Sequence, residues 1–169
     1  MKMRKINLNL ILVSAVLLLC SSASADSLRG HVVGVVDGDT ITLLVDSHKQ
    51  YKIRLSGIDA PEKAQPFGQV SKKSLSDLIY DKDVFVEYSK YDRYGRVIGK
   101  ISFNKLDVNL EQIKKGLAWH YKKYQNEQLP SDRELYSDEE LKAHASKLGL
   151  WSEVNPIPPW DWRKKKSEH

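Results

Sequence analysis

Cysteine is nearly absent from this sequence of 169 residues, which contains Cys20 and no other. Cys20 lies in the apolar run 11–20, between a basic start and the small-residue pattern Ala23-Ser24-Ala25. This combination is typical of a secretory signal peptide. We therefore expect residues 1–25 to be removed and the protein to be exported, either to a periplasm or out of the cell. The remaining chain then excludes disulfide bonds and a cysteine nucleophile.

Long apolar runs are also scarce. The run 11–20 is well short of the roughly 20 residues that a spanning helix needs, which argues against an uncleaved membrane anchor. Lipid attachment at Cys20 is a second alternative, but Leu19 stands before it where lipid modification requires a small residue. We expect no stable membrane insertion once residues 1–25 are cleaved.

Residues 26–169 have only a small excess of positive charge. Three of the 27 Lys and Arg residues, and none of the 22 Asp and Glu residues, fall within residues 1–25, so the remainder carries a net charge of +2. Net charge therefore gives no argument for nucleic-acid binding, which must rest on where the basic residues lie.

Histidines are few and are not clustered. The five are scattered along the chain as His31, His48, His120, His144 and His169. They form neither the spacing of a zinc site nor a pair that would activate a nucleophile, which argues against a nuclease built on histidine and metal.

Alternating patterns predict five strands, and helical patterns predict three helices. The strands are 31–36, 40–45, 51–56, 83–89 and 96–103; the helices are 66–80, 107–116 and one that begins at a capping box, Ser137 to Glu140, and ends at Gly149. A helix between the third and fourth of five strands indicates an α+β domain dominated by β structure, a five-stranded OB-fold-type barrel. We assign the domain to residues 26–151.

The C-terminal tail, residues 152–169, is rich in proline, tryptophan and basic residues. Residues 155–169 show neither helix nor strand periodicity. The segment either packs its aromatic side chains back on the domain or serves a partner as an extended recognition segment. Its basic end, Arg163 to Lys166, is interpreted as solvated, with a possible electrostatic role on nucleic acid.

Two aspartates in the first two hairpins predict a metal site. In "VVDGDTITL" the pair Asp37-Gly38 alone favours a type I′ turn, but Asp39 shares its strand face with Ile41 and so points inward. The antiparallel third strand brings Asp59 to the same end of the barrel. Two ionised carboxylates in a partly buried place need a cation between them, and oxygen donors favour calcium before magnesium or manganese.

One further acid and two arginines complete the predicted site. Glu62 follows Pro61 near the same end and can accept a proton from a water or orient it. Arg54 precedes the acids and Arg96 opens the fifth strand; arginine suits phosphate oxygens and the charge that grows on them. Together these residues predict a phosphodiester hydrolase.

The sequence resembles the thermonuclease, or staphylococcal-nuclease-like, family. The resemblance rests on "VVDGDTITL", "IRLSGIDAPE" with "FGQ" after it, "DRYGRVIG", "NLEQIKKGLAWHY" and "LGLW", and it spans roughly residues 29–151. It implies calcium ligation by Asp39, Asp59 and the backbone carbonyl of Ala60, which stands where several members have Thr. It also implies water activation or positioning by Glu62.

The same resemblance implies the remaining roles. Arg54 and Arg96 match the catalytic arginines, and Tyr94 and Tyr124 resemble tyrosines that bracket the nucleotide. The family reaction is calcium-dependent hydrolysis of DNA and RNA that leaves 3′-phosphate ends. A groove of this fold favours single-stranded nucleic acid, and we expect a monomer.

Two alternative classes compete with the enzyme. One is a non-catalytic nucleic-acid-binding OB-fold module of the cell envelope, which the complete set of charged residues argues against. The other is an envelope protein that uses its tail for attachment, with nuclease activity secondary.

Overall fold

The computed structural model describes residues 26–167, so the predicted signal peptide lies outside the described residues. The strands are β1 (Asp26–Asp37), β2 (Thr40–Val45), β3 (Lys49–Leu55), β4 (Ile58–Asp59), β5 (Asp83–Tyr91), β6 (Val97–Phe103), β7 (Leu106–Asp107) and β8 (Trp119–His120). The helices are α1 (Gly68–Ile79), α2 (Val108–Lys114), α3 (Pro130–Ala145) and α4 (Pro159–Ser167), with 3-10 helices at Lys122–Glu127 and Gly149–Ser152.

Five strands close into a barrel, which confirms the predicted fold class. β1 pairs antiparallel with β2 and β5, β2 pairs with β3, and β5 pairs with β6. The parallel pairing of β3 with β6 completes the closure, from Ile53 beside Val97 to Leu55 beside Gly99. β7 extends the edge at β6, and β4 pairs with β8 in a separate two-stranded sheet. The short strands β4, β7 and β8 add to the five that the sequence predicts.

The barrel core follows from the period of two along each strand. Ile41, Leu43, Ile53 and Leu55 point inward and are at most 1% exposed. The helices α1 and α2 add apolar side chains to the same core, among them Ile113. Burial of this apolar surface is the main force that fixes the strand ends, and therefore the loops that carry the candidate site.

The β1–β2 turn differs from the predicted type I′ turn. Asp37 pairs with Thr40, so Gly38 and Asp39 form the turn, and none of residues 37–39 has a positive φ. Gly38 is required by close packing instead: a Cβ there would lie 2.8 Å from the Cβ of Ala60. The left-handed conformations occur in the next hairpin, at Asp46 and at Ser47.

The C-terminal region shows two corrections. The helix predicted to begin at Ser137 begins at Pro130, because proline suits the first turn of a helix, where its missing N–H is not needed. The tail predicted to lack a helix forms α4, so the described residues contain four α-helices rather than three. No helix within residues 26–167 has both the length and the apolar character needed to cross a bilayer.

Candidate active site

Asp39 lies at the end of the β1–β2 turn with its carboxylate inside the fold. It is 6% exposed, which confirms that Asp39 is buried. Its carboxylate accepts hydrogen bonds from the Ala60 N–H at 2.6 Å and from the Thr40 hydroxyl at 3.1 Å. Burial raises the pKa of Asp39 to about 7, although the nearby Arg54 guanidinium acts to lower it.

Asp59 is the second buried carboxylate, at 1% exposed. It lies on β4, whose pairing places Asp59 opposite Trp119 of β8. Nη2 of Arg54 lies 2.8 Å from Asp59 Oδ1 and 3.1 Å from Asp39 Oδ2. One guanidinium therefore bridges the two acids, as their mutual repulsion requires.

Arg54 is held from several sides and is only 13% exposed. Besides the two acids, its Nη1 donates to the backbone carbonyls of Leu55 at 2.8 Å and Ile58 at 2.9 Å. These contacts tie the end of β3 to β4. Arg54 thus holds the carboxylates in place as well as supplying positive charge.

The turn that carries Asp39 is fixed by the two helices behind it. Nε2 of Gln112, on α2, donates to the carbonyls of Gly38 at 2.8 Å and Ser71 at 3.1 Å. The Ser71 hydroxyl, on α1, in turn donates to the carbonyl of Leu117 at 2.7 Å. The sequence analysis missed this buried network; a polar residue on the inward face of each helix is the signal that could have revealed it.

The donor set at the two acids suits a hard cation. Asp39 and Asp59 offer carboxylate oxygens, and the backbone of Ala60 lies against Asp39 through its N–H. Nowhere in residues 26–167 do three or more His, Cys, Asp or Glu side chains gather so as to hold a metal ion. A calcium or magnesium ion here would therefore need further oxygen ligands from backbone, water or substrate, which is a common arrangement for these ions.

Glu62 lies at the rim of the same cluster, with its side chain 41% exposed. The turn around it is fixed by Gln65, whose Oε1 accepts from the Glu62 N–H at 3.1 Å and whose N–H donates to the Glu62 carbonyl at 2.8 Å. A half-exposed carboxylate on a fixed backbone can reach both water and an incoming substrate.

Arg96 belongs to a second group, in the loop between β5 and β6. Its Nε donates to Asp92 Oδ2 at 2.7 Å, and its guanidinium lies 5.7 Å from the centre of the Tyr94 ring. Arg54 pairs with Ile98 on β6, so Arg96, the residue before β6, lies two positions along the chain from the strand partner of Arg54. Tyr94 is 68% exposed.

Tyr124 lies in the 3-10 helix Lys122–Glu127 and is 41% exposed. Lys90 and Lys123 approach its ring at 5.4 and 5.6 Å. The rings of Tyr124 and Tyr121 pack edge to face, with their centres 5.1 Å apart. The backbone N–H of Tyr121 donates to the carbonyl of Gly57, two residues before Asp59. Tyr121, which the sequence analysis missed, therefore connects Tyr124 to the acidic cluster.

The main residue that the sequence analysis missed is Arg163. Its interpretation as part of a solvated basic end is wrong, because its guanidinium pairs with Asp59 and Glu62. Burial lowers the pKa of Arg163, but the hydrogen bonds to these acids outweigh it and raise the pKa overall. The signal was available in the tail: Trp160 and Arg163 are three residues apart, so a helix that packs Trp160 on the domain also turns Arg163 toward it.

The structure thus brings most of the predicted residues into contact. Asp39, Asp59, Ala60 and Arg54 form one bonded cluster, and Glu62 joins it through Arg163. Arg96 and Tyr94 form a neighbouring group, and Tyr124 borders the cluster through Tyr121.

Comparison with known proteins identifies the family. The family model described as Staphylococcal nuclease homologue matches residues 52–153. A Haemophilus influenzae protein named uncharacterized endonuclease is 41% identical over 161 residues, covering 94% of this chain and 87% of that protein. A Shigella flexneri protein named micrococcal nuclease is 36% identical over 160 residues and covers 89% of each chain. The chain therefore belongs to the staphylococcal nuclease family, and it is a nuclease.

Proposed function

We propose that this nuclease hydrolyses DNA and RNA in a calcium-dependent reaction and leaves 3′-phosphate ends. The observation that carries the proposal is the pair of buried carboxylates, Asp39 and Asp59, with Arg54 between them and Glu62 at the rim. A cluster of acids and arginines at a strand end is suited to phosphodiester chemistry, in which negative charge must be both held and neutralised.

Asp39, Asp59 and the Ala60 carbonyl would hold the calcium ion. When bound, the ion supplies positive charge beside the phosphate oxygens and assists a bound water. The role of the carboxylates is to fix this charge at one place in the barrel. Because the two carboxylates are buried, water screens them less, and their electrostatic attraction for a divalent cation is stronger than that of exposed carboxylates.

Glu62 would act on the attacking water. Its carboxylate can accept the water's proton or hold the water in line with the phosphorus atom. Its exposed position allows contact with solvent and substrate, and the Gln65 turn holds its backbone. A positioned base contributes typically 10²–10⁴-fold to a rate.

Arg54 and Arg96 would bind the scissile phosphate. Arg54 lies on β3 and Arg96 directly precedes β6, the strand that pairs in parallel with β3, and guanidinium groups match phosphate oxygens in geometry and charge. Arg54 is also committed to the two acids, so Arg96, with 31% of its side chain exposed, is the freer of the two for substrate.

Tyr94 and Tyr124 would bracket the nucleotide. Both are exposed rings with cations beside them, Arg93 at 4.7 Å from the Tyr94 ring and Lys90 at 5.4 Å from the Tyr124 ring. Exposed aromatic rings among basic side chains stack unpaired bases, which supports a preference for single-stranded substrate. We further propose that the protein acts as a monomer and is exported, because residues 1–25 have the signal-peptide pattern.

Paired substitutions test the proposed roles. Glu62→Gln and Arg96→Ala should each lower the rate of DNA hydrolysis by about 10²–10⁴-fold, the range for a general base or a charge-stabilising group. Glu87→Gln and Arg29→Ala make the same chemical changes at exposed positions of β5 and β1 and should leave the rate unchanged. Near-normal rates in the first pair would refute the proposed roles.

The family assignment argues against the alternative of a nucleic-acid-binding module that does not cut. Binding of denatured DNA without release of nucleotides, in calcium and in magnesium, would favour it. The complete set of two acids, Glu62 and two arginines argues for catalysis instead.

A further inference from the structure

The C-terminal helix α4 places an arginine on the candidate metal ligands. Nη2 of Arg163 donates to Asp59 Oδ2 at 2.8 Å, and Nη1 contacts Asp59 Oδ1 at 3.2 Å and Glu62 Oε1 at 2.8 Å. With the bond from Arg54 to Oδ1, both oxygens of Asp59 are engaged by guanidinium groups. The guanidinium group of Arg163 thus contacts both Asp59, which would hold calcium, and Glu62, which would act on water.

This contact is supported by packing elsewhere along the tail. The ring of Trp160 stacks on Tyr121, with centroids 5.4 Å apart and planes at 9°, and meets Trp119 edge-on at 5.6 Å. Nε2 of Gln65 donates to the carbonyl of Ile157 at 2.5 Å. The start of α4 is therefore anchored on the domain through Trp160, one turn before Arg163, and the segment before the helix is anchored through Ile157.

Tyr121 and Gln65 also belong to the site itself. Tyr121 follows β8, which pairs with the strand of Asp59, and Gln65 fixes the turn of Glu62. The tail is thus built onto the same elements that position the acids. A segment that served only as an attachment device would not need to contact them.

We propose that Arg163 is a further residue of the site and competes with the divalent cation for Asp59 and Glu62. The pair with Arg163 neutralises these acids while no metal is bound, and it must open before Asp59 can ligate a cation. The cost of opening it lowers the affinity for the metal, because a site that is only partly available binds with a correspondingly weaker apparent Kd. This inference rests on the proposed role of Asp59 as a calcium ligand.

Calcium binding measured by titration calorimetry tests the inference without any use of activity. Three variants are compared with the wild-type protein: Arg163→Gln removes the fork, Trp160→Ala loosens α4 but keeps the arginine, and Lys165→Gln removes one exposed charge from the same helix. We expect the Kd for Ca²⁺ to fall about tenfold in Arg163→Gln, as for a competing contact closed about 90% of the time. We expect a smaller fall in Trp160→Ala and no change in Lys165→Gln. Circular dichroism confirms that each variant is folded.

Each other outcome overturns the inference. A fall in Kd for Arg163→Gln with none for Trp160→Ala would mean a simple charge effect rather than competition from an anchored helix. A rise in Kd for Arg163→Gln would mean that Arg163 positions the acids for the metal. If neither the wild type nor Arg163→Gln binds Ca²⁺, release of Arg163 creates no site. Cleavage of denatured DNA by the wild-type protein, followed separately, shows whether the proposed function stands in each case.

Discussion

Removal of Arg54 should cost this protein more stability than removal of any exposed arginine. The Arg54→Met variant keeps most of the side-chain volume but takes the bridging charge from between Asp39 and Asp59, which are 6% and 1% exposed. Breaking a buried ion pair by removing one partner costs about 3–5 kcal/mol when the remaining charge is buried without compensation. Asp59 keeps its pair with Arg163, so the uncompensated acid is Asp39, and the protein also loses two hydrogen bonds to carbonyls; we therefore expect a loss of about 3 kcal/mol.

Arg96→Met is the matched control. Arg96 makes an ion pair with Asp92, with the two side chains 31% and 18% exposed, so water screens much of the interaction. We expect a loss of roughly 0–1 kcal/mol, as for ion pairs near the surface. Both variants should lose nuclease activity, but only Arg54→Met should lose much stability.

Urea unfolding of the purified protein at 25 °C, in a chelator, measures both losses. Saturating calcium should then recover part of the loss in Arg54→Met, because a ligand that binds only the folded state at 100 times its Kd stabilises it by about 2.7 kcal/mol. The reasoning is refuted if Arg54→Met and Arg96→Met unfold at the same urea concentration.

Two further variants test the packing of the turn before Asp39 and the charge of His31. Gly38→Ala would place a methyl group 2.8 Å from the Cβ of Ala60 and should destabilise the protein by about 1–3 kcal/mol in urea unfolding, whereas Gly34→Ala, whose new methyl has ordinary contacts, should not show this clash. Hydrogen bonds to two aspartates raise the pKa of His31 above 6.5, so its contribution to stability is present below pH 6.5 and is lost as the pH rises through the raised pKa. His31→Gln should remove this decline from a plot of melting temperature against pH; an unchanged decline would show that another group causes it.

The barrel and the acidic cluster could be predicted from sequence because local signals define them. Alternation of apolar residues gives the five barrel strands, and the face shared by Asp39 and Ile41 gives the burial of that acid. Asp39 lies opposite Leu55, whose N–H donates to its carbonyl, and Arg54 beside Leu55 bridges Asp39 and Asp59.

The structure of the tail could not be predicted because it depends on contacts with residues that are distant in the sequence. α4 has no pronounced apolar face of its own. Its Trp160 contacts Tyr121 and Trp119, and Ile157 just before it accepts from Gln65, so these partners lie 39 to 92 residues earlier in the chain. The expectation that the tryptophans pack back on the domain is confirmed for Trp160. Arg163 and Asp59 are 104 residues apart, so the spacing of Trp160 and Arg163 can indicate that Arg163 faces the domain but not which acid it contacts.

The most direct test of the account follows nucleotide release from denatured DNA in Ca²⁺, in Mg²⁺ and in a chelator, with analysis of the product ends. The account predicts release in Ca²⁺, none in the chelator, and fragments that end in 3′-phosphate. Asp59→Asn should abolish the release in Ca²⁺ while the protein remains folded. Equal release in the chelator, or full activity in Asp59→Asn, would contradict the assignment of Asp39 and Asp59 to the metal.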